Sequence, residues 1–485
     1  MVRCGHRVDC KTLREPVIGQ VIVCMTHQEL RERSLAELIE IILQQQKRIA
    51  SLEAQVATLQ NRLEGVTKPP KTSRNSSLPP SKSPKASSKG KRGSGKKRGP
   101  NPGHPGRSRR RAEPDATIEC RPKQCSRCGA DLQEIEQYLV GQNQIVELPP
   151  IEPVVIEAHQ YSADCPVCKH QETAAYPEGM EAERVFGNRV EALTSYFHQV
   201  QHLSYERLEH TFQEVFGLKI CQGALVNSIG RTANRLKPEV EAIRETIRSS
   251  SVIGSDETGA RVNGRNYWQW VFQTQQVSYH IIVPYRSSKA IEEVMGDASP
   301  DVWVSDLFSA QLKNPAQTYQ ICGSHQVRDL QYPVDADRCR FSYQIQQLFL
   351  RAERLAKHRD DLSALHFQQQ VLQIEKTCDE LLSLEVSSKR GGQLQRRYIK
   401  HRNHLFVFLY RPDVPFTNND SERDLRNSVI HRKVSGGFRS DWGADAYATV
   451  ISVVETARKQ GQQILATLQT HIGPPAPIML ACRPP

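Results

Sequence analysis

No apolar run in this chain is long enough to cross a bilayer. Even "PVIGQVIVC" near its start falls far short of the roughly 20 residues that a spanning helix needs. No clear small-residue cleavage pattern follows that stretch, which argues against a secretory leader. Hydrophobic residues make up only 38% of the sequence, low enough to predict that part of it does not fold compactly. Acid is missing altogether from residues 82–111, "KSPKASSKGKRGSGKKRGPNPGHPGRSRRR", which hold twelve Lys or Arg. Subtracting those twelve from the formal net charge of +12 leaves the remainder neutral, so the basic excess is one local arm. Rich in Gly, Ser and Pro, that arm is predicted to be disordered and to hold nucleic acid through its phosphates. Its candidate contacts are Lys96, Lys97, Arg98, Arg109, Arg110 and Arg111. These features together predict a cytosolic, nucleoid-associated protein with no membrane partner.

The length of 485 residues implies roughly two to four domains. Residues 1–24 show no clean period, and Met25 is the expected native start. A coiled coil is predicted over 25–65. Leu35, Ile42, Ile49, Val56 and Leu63 fall at one heptad position, and Leu38, Leu52 and Leu59 at the other. Gln45 is the single polar residue in that seam, and a homo-oligomer is the expected consequence. A disordered basic linker follows over 66–114. Residues 115–180 form a small turn-rich unit, and 181–250 are helical with a break at Gly217, as in a helix-turn-helix. From 251 the text turns into short strand-like runs, "SVIGSDETGARV", "NYWQWVFQ" and "VSYHIIVP". Trp268 and Trp270 share one strand face there and are expected in the core. Residues 251–340 and 400–470 therefore read as a mixed α/β domain, with a helical insertion over 341–399 and a tail over 471–485.

Two constellations carry chemistry. "CSRC" and "CPVC" give two C-x-x-C pairs, Cys125, Cys128, Cys165 and Cys168, with thirty-six residues between them. Paired thiolates on two turns suit a closed tetrahedral structural zinc site, and "EQYLVGQNQIVELPP" between them is expected to form a small sheet. The second constellation is acidic. Asp256 and Asp306 each end an apolar strand-like run, and Glu422 lies one turn into a later helix that Asn418 and Asn419 are placed to cap. Three converging carboxylates can hold two Mg²⁺ or Mn²⁺ ions for phosphodiester chemistry. Arg423 and Arg426, beside Glu422, would then face phosphate.

Taken in order, "NSSLPPSK", "CSRCGADL…CPVC", "SDETGARVNGRNYWQWV", "VSDLFSA" and "TNNDSERDLR…HRKVSGGFRS" resemble the transposases of the insertion sequence 66 family. The resemblance implies an RNase H-like catalytic domain with a DDE triad on Asp256, Asp306 and Glu422. It also implies DNA or structural contacts at Arg423, Arg426 and Lys433, and small accessory proteins as partners. The implied activity is cleavage at the ends of a mobile element and strand transfer into target DNA. The match weakens around the second acid: "SDLFSAQ" stands where the family has an Asp-Gly-Tyr run, and "CGSHQVRDL" has Gly323 in place of a large aromatic and Val327 in place of an arginine. His325 in that segment either touches the site or is structural. The departure supports an alternative, a degenerate copy or non-catalytic DNA-binding regulator. A structure-selective nuclease is the third reading.

Overall fold

The computed structural model describes residues 34–67, 69–76, 110–181 and 184–473. Residues 1–24 and the arm residues Lys96, Lys97, Arg98 and Arg109 lie outside the described residues. The chain divides into one unit up to Pro70 and another from Lys71 onward.

Among its described residues the first unit holds one helix, α1 (Leu35–Thr67). A capping box starts it: the Ser34 N–H donates to Glu37 Oε2 at 2.9 Å, and the Glu37 N–H returns a bond to Ser34 Oγ at 3.4 Å. Leu35, Ile42, Ile49, Leu52, Val56 and Leu59 are all exposed along it.

The second unit begins with an ordered turn where the sequence reads as linker. Asn75 Oδ1 accepts from the Thr72 N–H at 2.7 Å, Ser76 Oγ donates to the Thr72 carbonyl at 2.7 Å, and both Asn75 and Ser76 are buried. Beyond residue 110, the expected sheet between the two C-x-x-C pairs is absent among the described residues. Only two three-residue strands form, β1 (Ser162–Asp164) and β2 (Gln171–Thr173), around the second pair. Tyr138, Leu139, Val140, Ile145 and Leu148 stand exposed, and without a partner layer to cover them a sheet gains nothing from their apolar character.

Helices α2 (Asn188–Ser195), α3 (Tyr205–Phe216) and α4 (Gln222–Arg248) follow. Gly217 ends α3 in the left-handed region at φ 61°, where its N–H and that of Leu218 satisfy the last carbonyls of the helix. Leu208 and Phe212 of α3 then close a small core with Ile220 and with Leu225 of α4.

The main sheet has five strands: β3 (Val252–Val262), β4 (Arg265–Gln273), β5 (Ser278–Val283), β6 (Val302–Ser305) and β7 (Thr318–Ile321). Their order is β5-β4-β3-β6-β7, antiparallel from β5 to β3 and parallel from β3 to β7. Strand alternation splits β4 into two faces. Trp270 and Phe272 enter the larger core, and Trp268, on the same face, is half-buried under the Arg286 guanidinium at 4.6 Å. Gln269 and Gln273 point the other way. Helix α5 (Lys289–Met295) joins β5 towards β6.

Helical structure resumes earlier than the sequence suggests, with α6 (Gly323–Asp337), which holds Pro333 within it. It continues through α7 (Arg340–Lys357), α8 (Ala364–Leu382), α9 (Lys389–Lys400) and α10 (Val407–Tyr410). A second core buries these helices against Val302, Val304 and Ile321 of β6 and β7. Three helices complete the unit: α11 (Asn419–Ser435), α12 (Asp441–Lys459) and α13 (Ile464–Ile472). Ser452 and Thr456 of α12 accept from the N–H groups of His280 and Ser278 at 2.9 and 3.0 Å, which blocks the free edge of β5. Among the described residues no helix is long and apolar enough to cross a membrane.

His431 of α11 packs against the rings of Phe438 and Tyr447, which also touch each other, and its buried Nδ1 has no hydrogen-bond partner. Burial first, then His198 and His202, pull it down to about 3. Between that value and the ordinary 6.5, the unfolded chain takes up a proton that the folded chain refuses. Stability is therefore lost as pH falls through this window, by about 1.4 kcal/mol per pH unit from this residue. His431→Phe is expected to retain about 2 kcal/mol more than the parent on going from pH 7 to 5. Urea unfolding of both proteins at the two pH values measures the difference, and equal losses would refute the assignment.

Candidate active site

The site is assembled where β3, β6, α6 and α11 meet. Asp256 does not end its strand as the sequence suggests. β3 runs on to Val262 because β4 pairs with it along its whole length, whereas β6 leaves it after Gly254. Asp256 thus lies at the point where one neighbour has departed. Asp306 follows the last residue of β6 directly, its Oδ1 fixed by the Phe308 N–H at 2.8 Å.

Burial, then the charges of Glu257 and Asp306, hold the Asp256 carboxyl well above its usual range. Glu257, which sequence reasoning missed, is itself raised by burial and by Asp306. It is held by Arg286 at 2.6 Å and by the Gln311 amide at 2.8 Å. Such a group of acids holds its negative charge poorly unless a cation shares the site.

Glu422 comes from α11, and the way that helix is seated differs from expectation. Asn418 and Asn419 make no side-chain cap. Beyond Gly254 the Ser255 carbonyl has lost its β6 neighbour, and buried Asn418 Nδ2 donates to it at 2.6 Å. Gly254 permits this approach, since a Cβ there would stand 2.9 Å from Asn418 Oδ1. Asn419 Oδ1 instead accepts from Ser324 Oγ at 3.0 Å, tying α11 to α6. The buried face of α11 is largely polar. Ser421 and Ser428 accept from the Gln273 and Gln269 amides at 3.3 and 2.8 Å, and Asp424 accepts from Ser278 Oγ at 2.7 Å and Lys459 Nζ at 3.2 Å. Hydrogen bonds of fixed direction therefore set the rotation of the helix that carries Glu422.

His325 joins the parts. Its Nε2 lies 3.6 Å from Glu422 Oε1, its charge favours the ionised form of Asp256, and its Nδ1 lies 3.4 Å from Cys322 Sγ. Burial works against a charged ring, but the hydrogen bond and charge of Cys322, with Glu422, raise His325 to about 9. Burial also opposes ionisation of Cys322; His325 and the Asn418 N–H overcome it and lower the thiol. The three-residue spacing of Cys322 and His325 at a helix start was the signal available in the sequence. At Gly323, between them, a Cβ would collide with the Phe416 ring unless that ring moved.

The cysteine pairs are two copies of one turn. The Cys125 N–H donates to the Ala130 carbonyl and the Gly129 N–H to Cys125; the Cys165 N–H donates to His170 and the Lys169 N–H to Cys165. Gly129 and Lys169 take the left-handed conformation, at φ 77° and 60°. Backbone N–H groups of Arg127 and Cys128 lower the Cys125 thiol, and those of Cys168 and Val167 lower Cys165. Each turn is thus built to favour thiolate, the form that binds metal. Among the described residues, however, no three acids, histidines or cysteines converge as a metal-holding group, so the four thiols stand as two pairs.

Of the expected DNA contacts, Arg426 and Lys433 are exposed on α11, and exposed Arg423 pairs with Asp420 at 3.0 Å. Arg110 is exposed, whereas Arg111 donates to the Gln142 carbonyl at 2.7 Å.

Residues 183–446, more than half the chain, match the family described as "Transposase IS66 family". The chain belongs to the IS66 transposase family. Residues 122–169, which include all four paired cysteines, match the "zinc-finger binding domain of transposase IS66", in keeping with structural zinc. A 98-residue stretch of this IS66 family member is 33% identical to "Uncharacterized protein y4jO" of Sinorhizobium fredii (strain NBRC 101917 / NGR234). That match covers 20% of the chain and 30% of y4jO, so the chain spans under a third of the curated relative it matches.

Proposed function

We propose that this protein is a DDE-type transposase that binds the ends of its mobile element, cleaves DNA there and transfers the freed strand into target DNA. The observation that carries this reading is half-buried Asp256 within electrostatic reach of Asp306 at the point where β6 leaves β3. The mixed sheet, with its helices and helical insertion, is read as an RNase H-like domain.

Asp256, Asp306 and Glu422 would hold Mg²⁺ or Mn²⁺. The donor chemistry suits such ions, since all three are hard carboxylates and the Glu422 Oε1 atom is buried without a hydrogen-bond donor. The three do not converge as a metal-holding group in this structure, however, and would have to close on the ions. When bound, two such ions activate an attacking hydroxyl and stabilise the leaving oxygen of a phosphodiester. The chain itself contributes position. Asn418 anchors α11 to β3, the polar face sets its rotation, and His325 lies 3.6 Å from Glu422. Exposed Arg426 and Lys433 would meet DNA phosphates, as would the basic arm with Lys96, Lys97, Arg98, Arg109 and Arg110. Cys125, Cys128, Cys165 and Cys168 would close on one structural zinc, and the exposed apolar seam of α1 would pair with a second copy as a coiled coil.

A cleavage and strand-transfer assay on labelled element-end DNA with Mg²⁺ or Mn²⁺ tests the reading. Joined products are expected, with accessory proteins of the same element added if required. Nicks without joining would favour a structure-selective nuclease. End binding without any cleavage, accessory proteins included, would favour the regulator.

A further inference from the structure

The turn at 71–76 lies against α6. Lys71 Nζ stands 5.1 Å from the Tyr332 ring, and the Asn75 amide lies 3.4 Å from Asp335 Oδ2. Between this turn, α6, α7 and the lead-in to α11 lies a cavity of about 360 Å³. Arg74 and Arg328 line it together with Ser324, Thr417 and Asn419. Neither guanidinium has an ion-pair partner among the described residues, and the one carboxylate in the lining, Glu353, is taken by Lys357 at 2.7 Å. Two of the lining residues are near neighbours in the chain of the candidate site: Ser324 precedes His325 directly, and Asn419 lies three residues before Glu422 on the same helix.

We infer that Arg74 and Arg328 form a subsite for a DNA backbone phosphate next to the one undergoing reaction, with Arg74 supplied by the docked turn. Two unpaired guanidiniums with hydroxyl and amide donors suit a phosphodiester, which accepts bidentate charge-assisted bonds. Part of the apparent linker thereby belongs to the substrate-binding wall. This inference rests on the DNA-processing reading above.

The test uses the full-length chain without divalent metal and a labelled double-stranded oligonucleotide of arbitrary sequence, with affinity measured across a salt series. Each phosphate contact contributes roughly 0.9 to the slope of log affinity against log salt. Because both guanidiniums meet one phosphate, Arg74→Ala and Arg328→Ala are each expected to reduce that slope measurably, and the double variant by about 0.9 in total. Arg74→Lys and Arg328→Lys should retain it, and Asn75→Ala, which loosens the turn, should reproduce Arg74→Ala. Melting curves matching the parent would separate lost contact from lost fold. Alanine variants with the parental slope would overturn the subsite and leave the transposase reading intact. A parent chain that binds no duplex at all would overturn both.

Discussion

Asp256→Asn is expected to lower DNA cleavage by about 1000-fold or more while the purified chain keeps its fold and its DNA affinity. The substitution preserves side-chain shape and removes the charge. In the folded chain that charge is disfavoured by burial, by Glu257 and by Asp306, so its loss should leave the melting temperature unchanged or higher. Asp306→Asn and Glu422→Gln are expected to abolish cleavage as well, but for Glu422 the partner released is His325, 3.6 Å away. Lost activity with undiminished stability distinguishes a functional acid from a structural one. Cleavage surviving in any purified single variant would remove that acid from the triad.

Cys125→Ser, or treatment with a strong chelator, is expected to strip the zinc and unfold the region around residues 115–180 while the helical and sheet-bearing part persists. Structural zinc contributes on the order of 10–16 kcal/mol to small domains of this kind. Nothing in the region replaces that contribution, since its strands are three residues long and its large apolar side chains are mostly exposed. Metal analysis should show the bound zinc falling from one ion per chain to none. Limited proteolysis should then cut between the cysteine pairs and spare the sheet. A chain that binds no zinc and still resists proteolysis there would exclude the four-thiol site.

Much of the fold was legible where side-chain period and element agree. The alternation in "NYWQWVFQ" announced β4 and the buried Trp270, and Gly217 announced the break between α3 and α4. The acids could be singled out because each stands at a change of texture, but their surroundings could not. Asp256 lies within a strand because β4 outlasts β6, a property of pairing that no local pattern encodes. Helix α11 presents a buried face made mostly of Ser, Asp, Asn and His, which reads as a solvated surface until the glutamines of β4 are found opposite. Asn418 likewise reads as a cap, although the carbonyl it satisfies lies 163 residues away. The turn at 71–76 escaped notice because its burial depends on α6, far along the chain.

Gly323 can be reconsidered through Phe416. A large side chain at one position excludes a large side chain at the other, because the Phe416 ring occupies the space a Cβ at 323 would need. The two positions therefore constrain each other's size. Exchanging an aromatic at 323 for one at 416 must pass through either a collision or a void, and both intermediates are penalised. Once Phe416 is in place, return of a bulky residue at 323 is blocked until 416 shrinks. A bulky residue at 323 is therefore expected to be tolerated only together with a smaller residue at 416, so that the paired exchange melts higher than the single one at 323.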